Sequence, residues 1–113
     1  MMKVDKLKEY GINVEEGLAR CLNKEDFYLR LMNKAILDDS FINLKKEIEE
    51  KNYDNAFKTS HSLKGVLANL AITPLYEIIY NLTELLRVKK DIDYKEYIDE
   101  LLKKREELIG ILK

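Results

Sequence analysis

The chain has 113 residues, of which 46% are apolar and 36% are charged, and its formal net charge is −1. This composition fits one globular domain with a modest core, and it lacks the basic surface that nucleic-acid binding requires. It has no apolar run of membrane-spanning length and no signal-peptide core, and its one cysteine, Cys21, cannot form an internal disulfide. We therefore expect a cytoplasmic protein with neither a nucleic-acid nor a membrane partner.

Apolar residues recur at helical spacing from the first residues onward, while glycine and proline are scarce. Two short helices are expected within about residues 1–22, separated by Gly11 as a helix stop. Asn23 is the expected cap of a third helix. The apolar face expected for that helix comprises Phe27, Leu31, Met32 and Ala35. The helix either continues or bends near residues 38–40, because the apolar stripe resumes at Phe41.

Capping residues mark the three remaining helices. Asn52 can cap one, Thr73 followed by Pro74 is a strong start for the next, and Asp93 with Glu96 resembles a capping box. Short connections between such helices favour antiparallel neighbours. The sequence thus predicts a single all-α domain over 1–113, with short N-terminal helices at about 1–22. An antiparallel up-down four-helix bundle is expected at about 23–113.

The candidate reactive residues lie in the segment TSHSLKGVLANL, at 59–70. On a helical wheel of about 100° per residue, one broad face must be the core side. That face contains Tyr53, Ala56, Ser60, Leu63, Leu67 and Leu70. His61 falls outside it, on the flank or in solvent, and Lys64 and Gly65 border His61 one turn further along.

We expect these three residues to provide an exposed nucleophile, a positive charge close to it, and space for another protein to approach. A neutral imidazole such as that of His61 is nucleophilic near pH 7, and Lys64 supplies a cation within reach. Gly65 is costly inside a helix, by about 0.5–1 kcal/mol relative to alanine, but its missing side chain would let another protein approach. The alternative is a surface histidine without function.

The residues His61-Ser-Leu-Lys64-Gly65, followed by Ala68-Asn69-Leu70, resemble the signature of the histidine-phosphotransfer (HPt) domain family. The resemblance covers nearly the whole chain, since the lead-in YGINVEEGLARCLNKEDFYLRLM and the Asn-Tyr-Asp at 52–54 are also similar to the family. One departure is Ala71, where the family often has glycine.

The resemblance implies a phosphohistidine carrier of a two-component phosphorelay. His61 would be the phospho-acceptor, Lys64 would stabilise the phosphoryl oxygens, and Gly65 would admit the receiver domain. The chain has no Gly-rich phosphate loop and no kinase signature, so we expect a carrier without its own ATP site rather than an independent enzyme. We expect no cofactor or metal in this chain, with Mg²⁺ in the receiver's acidic pocket.

The expected partners are a response-regulator receiver domain and a histidine kinase or hybrid kinase, with the chain itself monomeric. Candidate residues of the partner surface are Asp54, Lys58, Ser62, Ala68, Asn69 and Ile12.

The sequence leaves three other interpretations to compare with this one. The first is a helical scaffold in which His61 is never phosphorylated. A histidine-kinase fragment is disfavoured by Ser62, where such fragments usually have an acidic residue. A di-iron or haem bundle is disfavoured because the chain has one histidine and no Glu-x-x-His pair.

Overall fold

The computed structural model describes residues 2–113, and within that range the chain forms seven α-helices and no strand. The prediction of an all-helical protein is confirmed. The helices are α1 (Met2–Tyr10), α2 (Val14–Arg20), α3 (Glu25–Ile36), α4 (Ser40–Glu49), α5 (Tyr53–Asn69), α6 (Thr73–Arg87) and α7 (Lys95–Leu112).

The two N-terminal helices are joined by a turn at Gly11, as expected. Gly11 has a φ of +106°, a left-handed conformation that glycine adopts without steric cost. After this turn the Asn13 N–H donates to the Ala71 carbonyl at 3.1 Å, and the Tyr10 hydroxyl donates to the Lys104 carbonyl at 3.0 Å. These two bonds attach the N-terminal helices to the end of α5 and to α7.

The turn between α2 and α3 differs from the expected cap at Asn23. Asn23 has a φ of +56°, and its N–H donates to the Leu18 carbonyl at 2.7 Å, so this residue closes the turn. The helix begins two residues later, after Lys24, which makes no side-chain capping bond. Asparagine tolerates the left-handed conformation, and here that property is used in place of capping.

The buried face of α3 is shifted by one residue from the expected one. Met32 was predicted correctly, but the other core residues are Tyr28 and Ile36. Phe27, Leu31 and Ala35 are only partly buried. Helix α3 ends at Ile36, and α4 begins at Ser40 after the non-helical residues 37–39. The helix is therefore interrupted and does not continue. The buried residues of α4 are Phe41, Leu44 and Ile48.

Helix α5 follows the prediction at its start and along its core face. The Asn52 side chain accepts a hydrogen bond from the Asn55 N–H at 3.4 Å. Of the expected core residues only Tyr53 is not buried, being of intermediate exposure. Beyond the helix, Ala71 has a φ of +56°. The chain therefore turns in the way that a glycine would favour, although alanine occupies the position.

The starts of α6 and α7 differ slightly from the expected caps. Thr73 is the first residue of α6 rather than its cap, and its hydroxyl donates back to the Ala71 carbonyl at 3.4 Å. The expected capping box at Asp93 and Glu96 is wrong, because Tyr94 occupies the cap position without a side-chain capping bond. Asp93 instead accepts from the Lys95 N–H at 3.0 Å.

Helices α5 and α6 run antiparallel and share the largest helix–helix contact. A buried hydroxyl pair, Ser60 and Thr83, joins them at 2.8 Å and fixes their register. Packing continues from α4 to α5, from α6 to α7 and from α7 back to α3. No helix in residues 2–113 combines the length and apolar character needed to cross a membrane.

Candidate functional site

His61 lies on the solvent side of α5, together with Ser62 and Gly65, and all three residues are exposed. The burial of Ser60 and Leu63 on the opposite side of the helix forces this orientation, because both belong to the core. The three residues form a continuous exposed strip, which we call the His61 strip. The sequence-based placement of His61 outside the core face is confirmed.

The imidazole of His61 is held by one aromatic neighbour. Its ring stacks on the ring of Phe57, one turn earlier, with 5.7 Å between the ring centroids and an interplanar angle of 21°. No side-chain hydrogen bond to either ring nitrogen is formed within residues 2–113. The stack therefore restricts the orientation of the ring while its nitrogen atoms stay open to a reactant.

Gly65 leaves open space beside His61. Apart from its two chain neighbours and the backbone of its own helix turns, a Cβ atom built at this position would have no protein atom within 4 Å. Internal packing therefore does not require glycine here, although glycine in a helix lowers stability by about 0.5–1 kcal/mol relative to alanine. No contact inside the chain therefore accounts for the glycine at position 65.

The α6 side of the His61 strip is aromatic and cationic. The Lys64 Nζ lies 5.6 Å from the Tyr80 ring centroid, and the Arg87 guanidinium carbon lies 5.0 Å from the Phe57 ring centroid. Phe57 thus contacts both His61 and Arg87. The structure thus adds Arg87, which was not predicted from the sequence, to the surroundings of the His61 ring through their shared contact with Phe57.

The opposite side of the strip borders an apolar groove of about 760 Å³ between α5 and α3. Ser62, Val66 and Asn69 line it from α5, and Leu31 and Ala35 line it from α3. Val66 is 41% exposed, which is high for a large apolar side chain. Two expected partner-surface residues, Ser62 and Asn69, thus lie at this groove.

The remaining expected partner-surface residues are placed differently from one another. Lys58 is exposed. Asp54 is exposed and pairs with Lys89 at 2.9 Å, and the hydrogen bond from Lys89 together with its charge lowers the pKa of Asp54. Ala68 is half-buried, and its carbonyl accepts a hydrogen bond from Arg20.

Ile12 is not available to a partner, and its assignment to the partner surface was wrong. Its side chain is only 3% exposed and belongs to the core. The reason is the Gly11 turn, after which the Ile12 N–H bonds back to the Leu7 carbonyl at 3.1 Å. That turn directs Ile12 inward.

Phe57, Tyr80 and Arg87 are the site residues that sequence reasoning missed. Tyr80 and Arg87 lie seven residues apart and so share one face of α6. Once α5 and α6 are known to be antiparallel, the pairing of Ser60 with Thr83 places this face beside Phe57 and Lys64. The helical spacing places Tyr80 and Arg87 on one face of α6. Predicting what that face contacts also requires the register between α5 and α6.

No group of three or more His, Cys, Asp or Glu side chains in the described part of the chain could hold a metal ion. Cys21 is buried, at 3% exposure, and lines the inner wall of the groove.

Comparison of the chain with protein-family models, with curated proteins and with solved structures found no match. Functional conclusions therefore depend on the motif and on the geometry of α5 and α6. That geometry provides an exposed imidazole, a lysine one turn away on the same helix, an arginine against the ring on which the imidazole stacks, and open space at Gly65.

Proposed function

We propose that this chain is a histidine-phosphotransfer protein that carries a phosphoryl group on His61. The observation that supports the proposal is the exposed histidine with Lys64 beside it and with open space at Gly65 on the same strip. The resemblance of the His-Ser-Leu-Lys-Gly segment to the HPt signature points to the same chemistry.

The transfer step exchanges one bond to phosphorus for another. An unprotonated ring nitrogen of His61 attacks the phosphorus of a receiver's aspartyl phosphate, forming an N–P bond. The P–O bond of the acyl phosphate breaks, and its electron pair leaves with the receiver's carboxylate. The proton on the other ring nitrogen passes to solvent, and the reverse sequence returns the phosphoryl group.

Such a transfer depends mainly on in-line positioning and on charge neutralisation. Stacking on Phe57 orients the His61 ring, and the Lys64 ammonium is available because no ion pair engages it among residues 2–113. Mg²⁺ would be bound in the receiver's acidic pocket, where it neutralises the acyl phosphate. This chain then acts as a carrier that depends on its partner rather than as an independent enzyme.

We further propose that the helices form an antiparallel four-helix bundle. In this arrangement α3 and α4 together take the place of one bundle helix, and α5, α6 and α7 are the other three. The packing of α4 on α5, α5 on α6, α6 on α7 and α7 on α3 supports a bundle in which each of the four members contacts two neighbours. His61 would then lie near the middle of α5, on the outer surface of the bundle.

The partners would be a receiver domain and a histidine kinase or hybrid kinase, meeting a monomeric chain in the cytoplasm. The groove beside Ser62 and Val66 supports docking on this side, because an exposed apolar surface next to a reactive group favours a protein partner. The exposed Asn69 at the end of the groove would extend the same surface.

The proposal is tested with a panel of phosphorylated receiver domains and histidine kinases in the presence of Mg²⁺. We expect an acid-labile phosphoryl group on wild-type His61, located by mass spectrometry, and none on His61→Gln. Lys103→Gln, which removes an exposed charge from α7 and lies outside the candidate partner surface, serves as the labelling-competent control. A folded chain that binds receivers yet acquires no phosphoryl group from any donor would support the unphosphorylated scaffold instead.

A further inference from the structure

We infer that Arg87 is a second phosphoryl-binding residue, held ready beside His61 by Phe57 and Glu84. The inference rests on the proposed function, because it concerns the phosphoryl group on His61. It begins from the contact of one aromatic ring, Phe57, with both the imidazole and the guanidinium, at centroid distances of 5.7 Å and 5.0 Å.

The charge on a phosphorylated His61 exceeds what Lys64 alone can balance. A phosphoryl group brings close to two negative charges and three acceptor oxygens, whereas lysine offers one point charge. Arginine presents a planar fork that binds two phosphoryl oxygens at once. Arg87 is the cation that contacts the same aromatic ring as His61, and it approaches from α6 whereas Lys64 approaches from α5.

The hydrogen bonds of Arg87 leave most of its guanidinium free. Its Nε donates to the Glu84 carboxylate at 3.2 Å, and this is its only side-chain hydrogen bond within the described residues. Both terminal amino groups are therefore open to another acceptor. The Arg87 and Glu84 side chains are 47% and 43% exposed, so the ion pair between them is weak and can be exchanged.

Glu84 would hold Arg87 in place until the phosphoryl group arrives. The register set by Ser60 and Thr83 places Glu84 on the α6 face between Tyr80 and Arg87. A phosphoryl group on His61 competes for the guanidinium and repels the carboxylate. Arg87 can then turn its free amino groups toward the phosphoryl oxygens while it keeps its contact with Phe57.

A partner-independent experiment separates this inference from the relay function. The whole chain is labelled with potassium phosphoramidate. A ring nitrogen of His61 bonds to phosphorus, the P–N bond of phosphoramidate breaks, ammonia leaves, and a proton passes to solvent. The variants are Arg87→Gln, Arg87→Lys and Glu84→Gln. Arg30→Gln is the matched control, because Arg30 also lies over a phenylalanine ring, Phe27, at 5.8 Å, but on α3.

We expect Arg87→Gln to slow the labelling of His61 by about tenfold, the effect of losing one charge-assisted hydrogen bond. The ³¹P resonance of the phosphohistidine should titrate at higher pH in this variant, because removing a cation favours the protonated phosphoryl group. Arg87→Lys should be intermediate, Glu84→Gln should titrate at lower pH than wild type, and Arg30→Gln should match wild type.

A purely structural role for Arg87 would not move the ³¹P titration. Equal labelling rates and equal ³¹P titrations in wild type, Arg87→Gln and Arg30→Gln would overturn the inference. Failure of the proposed function has a different signature, because His61 would accept phosphoryl from phosphoramidate but exchange it with no receiver domain.

Discussion

The surroundings of two helical glycines, Gly17 in α2 and Gly65 in α5, differ in a way that separates folding from function. A Cβ atom at Gly17 would collide with the ring and hydroxyl of Tyr28, which is fully buried. A Cβ atom at Gly65 would meet nothing within 4 Å. The packing of Tyr28 requires glycine at position 17. Glycine at position 65 lowers helix stability without improving any contact inside the chain. The function proposed above accounts for the open space beside His61 as clearance for a partner.

The largest effect is expected for Gly17→Ala. Tyr28 cannot move aside easily, because its hydroxyl donates to the Leu70 carbonyl at 2.7 Å. Forcing a methyl group into this contact should lower the free energy of unfolding by about 1–3 kcal/mol. Urea denaturation followed by circular dichroism measures the change. A variant as stable as wild type would show that the α2–α3 contact can relax, and the contrast with Gly65 would be lost.

The next effect is expected for Ala71→Gly, in the turn after α5. Ala71 has a φ of +56°, a conformation that costs roughly 1–2 kcal/mol for a residue with a Cβ. Glycine removes that cost but makes the unfolded chain more flexible, so we expect a net stabilisation of about 1 kcal/mol. Thermal unfolding tests this expectation, and a lower melting temperature for Ala71→Gly would contradict it. The result would show that this chain tolerates a locally unfavourable residue at a turn as well as at Gly65.

A smaller effect on stability is expected for Gly65→Ala, which should raise the free energy of unfolding by about 0.5–1 kcal/mol. Gly110→Ala in α7 is the matched control, because a Cβ atom at Gly110 also meets nothing within 4 Å. Both variants gain helix propensity, and Gly110→Ala should gain less because helix ends fray. If Gly65→Ala were destabilising in urea, Gly65 would have an internal role and the comparison with Gly17 would fail.

Helical periodicity allowed most of the fold to be predicted, but not the choice between adjacent apolar residues. In α3 the pairs Phe27–Tyr28 and Leu31–Met32 each offer two candidates for the core. Tertiary packing selects Tyr28 and Met32, because the space at Gly17 admits the tyrosine ring. A single-sequence pattern contains no information about that space, which explains why the buried face was one residue out of position.

The candidate site was predictable along α5 but not across to α6. His61, Lys64 and Gly65 follow from the spacing within one helix. The contact between Phe57 and Arg87 depends on the register of two helices, which a buried hydroxyl pair fixes. Ile12 was misplaced for a related reason, since a turn directs its side chain and no periodic pattern predicts that direction.

The most direct test of the account compares a large phosphoryl donor with a small one on Gly65→Gln. The donors are a phosphorylated receiver domain that labels the wild-type chain and potassium phosphoramidate, and Gly110→Gln is the control. We predict that Gly65→Gln slows transfer from the receiver by about a hundredfold, the scale of an approach displaced by about 1 Å. Labelling of His61 by phosphoramidate should be unchanged, and Gly110→Gln should match wild type with both donors. Equal rates for Gly65→Gln and wild type with the receiver would contradict the claim that Gly65 clears a partner's path to His61.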